Sequence, residues 1–271
     1  MLTTKHLLWC MLTCASQVAN GLCLPKGDPS NGGNTVSGDT HHSRSKGFGN
    51  GMPLRIMPLG ASITYGYRST DGNGYREDLR SQLEANGNKV NMVGDHPSGD
   101  MKDNDTEGWP GYRIDQVRTK ADATVPKYKP NLVLINLGTN DAIQNKDVPN
   151  AGKRMADMLN DIYRDSPRAT VVLSTLIVNS NKDAQARAKQ INAQFKTVAA
   201  DFQASKHRIV LVDMQSDAGP TLSDLNKDGT HPTDAGYKKM ADIFYAGIKE
   251  ADKQNYLQAA EKVNGMPDDG A

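Results

Sequence analysis

Four separate stretches of the 271-residue chain hold residues whose types suit acyl transfer. Ser62 lies in Gly60-Ala61-Ser62-Ile63-Thr64, and Asn140 in Gly138-Thr139-Asn140-Asp141. Asp228 precedes His231 by three positions in Asp228-Gly229-Thr230-His231-Pro232. A serine hydroxyl is a weak nucleophile until a base takes its proton. His231 is the candidate base, and an aspartate carried on the same loop or helical turn can hold the imidazole in one tautomer and stabilise the imidazolium. The oxyanion that develops needs aimed hydrogen-bond donors. The candidates are the backbone N–H of Ser62, the side-chain amide of Asn140, and the N–H of Gly111 in Gly108-Trp109-Pro110-Gly111-Tyr112. Each piece alone has an ordinary reading: a serine that caps a turn, a surface Asp/His pair, a turn asparagine, a hinge glycine. Only their joint order and placement argue for one site.

The elements that must position them follow from the apolar pattern. Residues 54–60 form an apolar run ending at a glycine, and 89–94 read as a second short strand. Residues 131–138 (NLVLINLG) are nearly continuous in apolar character, as in a strand covered on both faces. Residues 169–178 and 208–214 complete five strands. Helical patterns fall at 74–86, with Leu79 and Leu83 on one face, at 114–128, at 152–164 with Met155, Met158, Leu159 and Ile162 inward, and at 184–203. A final helix spans 233–255, with Thr233 placed to cap it. Five alternations of strand and helix predict an α/β domain with a mostly parallel, five-stranded sheet. Such sheets carry function in the loops at the carboxyl ends of their strands. Ser62 follows the first strand, Gly111 the second, Asn140 the third, and Asp228 with His231 the fifth.

These blocks, in this order, resemble the SGNH (GDSL-like) hydrolases over about residues 53–250. The resemblance implies a three-layer αβα sandwich of flavodoxin-like type. It makes Ser62, Gly111, Asn140 and His231 the four name-giving residues, with Asp228 completing the triad. One departure is Ala61, where many members carry an acidic residue; this removes one possible orienting hydrogen bond. The common α/β-hydrolase elbow is Gly-x-Ser-x-Gly. Here Thr64 takes the last position, and Asp228 and His231 are neighbours in sequence, so that fold is disfavoured. Ile56-Met57-Pro58-Leu59-Gly60, Glu107-Gly108-Trp109-Pro110-Gly111-Tyr112 and the Asp228 to Tyr237 block look like the carbohydrate-esterase branch that includes acetyl xylan esterases. The resemblance therefore implies hydrolysis of acetyl or short-chain acyl esters on a plant-type polysaccharide or oligosaccharide. Such an enzyme requires no cofactor and no metal. The rivals are a lipid or aryl short-chain esterase of the same fold, and an inactive carbohydrate-binding relative.

Composition bounds the partners. A net charge of +1, with charged residues at 23%, offers no bulk attraction for nucleic acid or anionic membrane. Low aromatic content, 6%, and no long apolar lid argue against a lipase. Residues 1–21 read as a secretion signal, with Lys5 followed by a short apolar stretch, so the expected location is extracellular and the expected state a monomer. Cys10 and Cys14 lie inside that signal, which leaves Cys23 without an intramolecular partner. No Cys/His cluster has zinc spacing. Residues 22–52, rich in Gly, Ser, Asn and Asp and including His41 and His42, read as a linker or pro-region. Residues 256–271 read as a C-terminal tail. Asn104-Asp105-Thr106 is a glycosylation sequon. Tyr65, Tyr67, Trp109 and Tyr112 surround the proposed site. They are candidates for a sugar platform, with Tyr65, Trp109 and Tyr112 as the tentative substrate-binding set, or for packing beneath the loops. Asp141 is a candidate to position the Asn140 loop.

Overall fold

The computed structural model describes residues 46–266. The expected secretion signal, His41, His42, the three cysteines and most of the 22–52 segment lie outside the described residues. The first strand, β1 (Leu54–Gly60), is buried at every position. It pairs in parallel with β2 (Val90–Met92) through residues 54–56 and with β4 (Leu132–Asn136) through residues 56–60. β5 (Thr170–Ser174) and β6 (Ile209–Val212) extend the sheet, again in parallel. A sixth, two-residue strand, β3 (Glu107–Gly108), pairs with Leu59 and Gly60 on the edge that β2 leaves bare. That succession explains a proline in an interior strand. The Pro58 carbonyl accepts from Thr106 Oγ1, so it faces the β2/β3 side. It lies between the stretches that β2 and β3 pair, where no ladder donor is needed.

The strand order is β2-β1-β4-β5-β6. With β3 set aside, this is the flavodoxin-like doubly wound order, whose direction reverses between β1 and β4. Alternate residues of each central strand serve opposite faces. Val133, Ile135, Val171 and Leu173 join one core with α3 (Ile114–Tyr128), α5 (Ala151–Asp165) and α6 (Lys182–Ala204). Leu132, Leu134 and Val172 join the other with α2 (Arg76–Ala85) and α7 (Asp234–Lys253). The inward set on α5, Met155, Met158, Leu159 and Ile162, is fully buried as its spacing predicts. Thr233 caps α7 by accepting from Gly236 N. No helix among the described residues is long and apolar enough to cross a membrane.

Two expected boundaries need correction. Residues before 53 are not all linker. Phe48, in a 3-10 turn over Phe48–Gly51, is buried against Tyr245 of α7, with ring centroids 5.3 Å apart. Asn88 clamps its backbone on both sides, accepting from Phe48 N and donating to Phe48 O at 2.8 Å each. One aromatic residue in a polar stretch has no period to betray it. At the other end, residues 256–266 are a strap rather than a trailing tail. Thr170 Oγ1 donates to Tyr256 O, Asn131 Nδ2 to Gln258 O and Arg55 Nη1 to Glu261 O, so the strap crosses the amino ends of β5, β4 and β1 in turn.

Candidate active site

The nucleophile candidate sits where β1 stops. Ser62 opens a single helical turn, α1 (Ser62–Tyr65), with Ala61 at its N-cap. The turn is tight because Gly60 has no side chain; a Cβ there would lie 2.2 Å from Thr64 Oγ1 and 2.4 Å from Asn136 O. Thr64 is fully buried, and its hydroxyl donates to Asn136 O on β4 while accepting from Tyr75 OH. The threonine that separates this motif from the usual hydrolase elbow is thus a brace between the nucleophile turn and the neighbouring strand.

Asp228 and His231 occupy the tip of a tight turn closed by the antiparallel bridge between Leu225 and Pro232. Asn226 N donates to His231 O and Gly229 N to Asn226 O, both at 2.8 Å. Gly229 has φ +69°, and a Cβ on it would meet Ser180 Oγ at 1.7 Å, so glycine is required there. Asp228 Oδ1 accepts from Thr230 N and His231 N, which turns Oδ2 toward His231 Nδ1 at 2.9 Å. A carboxylate only accepts, so Nδ1 of the neutral ring carries the proton and Nε2 presents its lone pair. Nε2 lies 2.8 Å from Ser62 Oγ. Burial pushes the Asp228 carboxyl up, but the two backbone N–H groups and the imidazole outweigh it and hold the group below the usual carboxylate range.

Asn140 lies on α4 (Thr139–Gln144), which follows β4 at the topological switch point. Its Nδ2 donates to Tyr112 O at 2.8 Å, tying α4 to the loop that carries Gly111. Gly111 has φ +82° and open space where a Cβ would stand. Asp141 is completely buried, accepts from Ile114 N and pairs with Arg154, so it positions α4 against the start of α3. Ser62, Tyr67, Gly111, Asn140, Ile143 and His231, together with Pro110, Asp228 and Thr230, line one cleft of ≈ 260 Å³. A larger cavity of ≈ 400 Å³, lined in part by Asp103, Asp105 and Lys127, contains no serine or histidine. The Ser62, His231 and Asp228 side chains open on the smaller cleft.

The aromatic residues divide. Tyr67 borders the cleft, whereas Tyr65, Trp109 and Tyr112 do not line it. Trp109 is stacked on His96 at 4.1 Å and near-parallel to Tyr112 at 5.7 Å, with Lys120 Nζ 3.9 Å from its centroid and its Nε1 donating to buried Glu107. Tyr65 packs on the far partner of that stack, His96. These rings pack on one another beside the β3 loop. Asn104 of the sequon is half-buried, its Nδ2 donating to Gly99 O, while Thr106 is buried. Sequence reasoning missed Arg68, whose Nε lies 3.5 Å from Asp228 Oδ2 and whose guanidinium is 5.4 Å from the Tyr67 ring centroid. It missed Asn179, buried behind the turn and donating to Thr230 Oγ1. Neither position stands in a recognisable pattern. It also missed Ile143, which one helical turn of spacing from Asn140 does signal. Among the described residues no group of three or more His, Cys, Asp or Glu side chains is placed to hold a metal ion.

A parallel αβα sheet with a Ser/His/Asp chain at its carboxyl edge defines the class of GDSL-fold esterases and acylhydrolases. The chain belongs to the GDSL-like lipase/acylhydrolase family, whose description it matches over residues 59–239. It is 28% identical over 243 residues to a multidomain esterase of Ruminococcus flavefaciens, an alignment covering 77% of this chain and 29% of that protein. The chain thus spans less than a third of that relative. Among solved structures it is similar in fold to a family 3 carbohydrate esterase of Clostridium thermocellum, with 24% identity and a TM-score of 0.67 over 75% of this chain and 98% of that one. A family 3 carbohydrate esterase from Talaromyces cellulolyticus gives 24% and 0.65 over 74% and 99%.

Proposed function

We propose that the chain is a serine esterase that removes acetyl or other short acyl groups from carbohydrate by way of an acyl-enzyme. The observation that carries this reading is the unbroken chain from Ser62 Oγ to His231 Nε2 at 2.8 Å and from His231 Nδ1 to Asp228 Oδ2 at 2.9 Å, opening on one cleft. Ser62 Oγ bonds to the ester carbonyl carbon as its proton passes to His231 Nε2, and Asp228 stabilises the imidazolium. The carbonyl oxygen becomes an oxyanion, held by Ser62 N–H, Gly111 N–H and Asn140. The Asn140 amide has two N–H donors, and Tyr112 O engages only one. The intermediate collapses, the bond to the leaving oxygen breaks, and that oxygen takes the proton from His231. Water then attacks the acyl carbon, gives its proton to His231, and Ser62 leaves with that proton.

A cleft of ≈ 260 Å³ suits a short acyl group with one sugar unit better than a long fatty chain. The relatives called carbohydrate esterases support the sugar, and the N-terminal segment supports a secreted enzyme. Acetate release tests the reading directly. The wild type is expected to release acetate from acetylated xylan and xylo-oligosaccharides and to reject long-chain esters, with Ser62→Ala lower in kcat by at least about 10⁴-fold. A Ser62→Ala protein that is folded and turns over at a comparable rate would remove Ser62 from the chemistry. Preference for long acyl chains would remove the carbohydrate acetate.

A further inference from the structure

Among the described residues three large apolar side chains are exposed, Tyr67 at 45%, Ile143 at 41% and Leu222 at 60%. Two of the three, Tyr67 and Ile143, border the cleft that holds Ser62 and His231. They stand on chemically different sides of it. Ile143 is on α4, one turn past Asn140, beside the oxyanion donors. Tyr67 packs on His231, with ring centroids 4.8 Å apart and planes at 66°. His231 Nε2 is the atom that returns the proton to the leaving oxygen, so the leaving alcohol must lie on the imidazole side of the tetrahedral carbon.

We propose that Tyr67 is the leaving-group platform: its ring meets the sugar that carries the ester and sets the preference for carbohydrate over simple alkyl alcohols. The inference rests on the serine-esterase reading above and on its carbohydrate substrate. A pyranose presents apolar C–H groups on its faces, which an aromatic ring desolvates well; an ethyl group offers far less to cover. Exposure here does not mean looseness. Tyr237 OH, on a nearly fully buried ring, donates to Tyr67 O at 2.7 Å. The Arg68 guanidinium lies by the Tyr67 ring and reaches Asp228 Oδ2, and Arg68 O accepts from Asn226 Nδ2. The ring is therefore held in register with the catalytic turn, as a specificity surface must be. Trp109, the larger aromatic nearby, has His96, Tyr112 and Lys120 packed around its indole and does not line the cleft.

The test compares kcat/KM for two acetates with different leaving alcohols, a mono-acetylated methyl xyloside and ethyl acetate, in wild type, Tyr67→Ala, Tyr67→Leu and Tyr67→Phe. Tyr67→Ala and Tyr67→Leu are expected to lower the sugar-to-alkyl ratio by roughly three- to tenfold, mainly through KM for the xyloside, and Tyr67→Phe to keep it. An unchanged ratio in the Ala and Leu variants overturns the platform, and so does an equal loss on both esters, which would make Tyr67 only a prop for His231. The wild-type arm judges the underlying reading separately. No preference for the xyloside there would withdraw the carbohydrate substrate, and the platform with it. A clear wild-type preference that survives Tyr67→Ala sinks the platform alone.

Discussion

The two ends of the sheet both carry buried or half-buried polar side chains, and they use them in opposite ways. At the amino ends, Arg55, Asn131 and Thr170 are all but inaccessible; each donates to backbone carbonyls, and Asn131 Oδ1 accepts from Arg55 N. Arg55 Nη1 alone donates to Tyr128 O, Lys129 O and Glu261 O. At the carboxyl ends, Ser62, His231 and Asp228 are partly exposed and bond to one another, leaving the serine hydroxyl facing a cleft. A buried polar group that donates to main-chain carbonyls is holding the fold together. A polar group whose partner is another titratable side chain, at the rim of a cavity, has chemistry available to it. Burial and partner type, taken together, separate the two edges where residue type alone does not.

The sharpest way to break this comparison is at the Asp228 carboxylate. Asp228→Asn should keep the turn, since the amide oxygen still accepts from Thr230 N and His231 N, but lower kcat by roughly 10⁴ as the imidazole loses its orienting acceptor. The Asp228 carboxyl is held below its usual range, so it takes up its proton further into acid than an ordinary carboxylate does. Activity should then fall in acid for one reason, protonation of the base, and the acid limb of log kcat/KM in wild type should have unit slope. A limb of slope two would mean that Asp228 titrates in the same range. Near-wild-type kcat in Asp228→Asn would return the residue to a structural role and erase the contrast between the edges.

The sequence made the carboxyl edge legible and left the amino edge dark, for a physical reason. Ser62 and Asn140 sit just past strand ends, and Asp228 and His231 in the long connection from β6 to α7, in stretches rich in glycine and polar residues that the doubly wound sheet brings together. The same logic placed β1, β4 and β6 and the inward face of α5 within a residue or two, whereas β5 starts where expected but stops at Ser174, short of the expected 178. The strap at 256–266 has no apolar period. It is held by side chains elsewhere that donate to its carbonyls, and any sequence has carbonyls. β3 is too short to register as a strand, and it exists because β2 ends early and leaves Leu59 and Gly60 unpaired. Ala61 shows the converse. The departure from the usual acidic neighbour leaves the Ser62–His231 contact in place, because Thr64 and Gly60 shape the turn.

A smaller effect is expected at the amino edge, and it should be purely one of stability. Arg55→Met removes the donor that three carbonyls share and should destabilise the fold by about 2–4 kcal/mol, lowering Tm by roughly 5–15 °C. The kcat of the folded fraction at low temperature should match wild type, because Arg55 lies at the opposite ends of the strands from Ser62. A matching Tm would show that the strap is dispensable. A lowered kcat in fully folded protein would show that the two edges are coupled.

The smallest effect separates the edges by their response to acid. At the amino edge, Thr170 Oγ1 donates to the Tyr256 carbonyl, which does not titrate. The turn that carries Asp228 and His231 is held at its base by a carboxylate. Asp224 accepts from Lys239 Nζ at 2.7 Å, from Thr221 N and from Thr221 Oγ1, while its own carbonyl accepts from Thr233 at the cap of α7. The Lys239 ammonium, then the Thr221 N–H, hold its carboxyl down at about 2. A carboxyl depressed in the folded state stabilises the fold at pH values above its unfolded value, and that contribution is lost as pH falls through the folded one. The Tm difference between wild type and Asp224→Asn should therefore be modest at pH 7, since Lys239 is solvent-exposed and the pair is screened. It should shrink between about pH 4 and pH 2 as wild type becomes protonated and comes to resemble the variant. The Tm difference for Thr170→Val, measured in parallel, should stay constant over the same range. A pH-independent difference for Asp224→Asn would mean that its carboxylate contributes no charge to the turn.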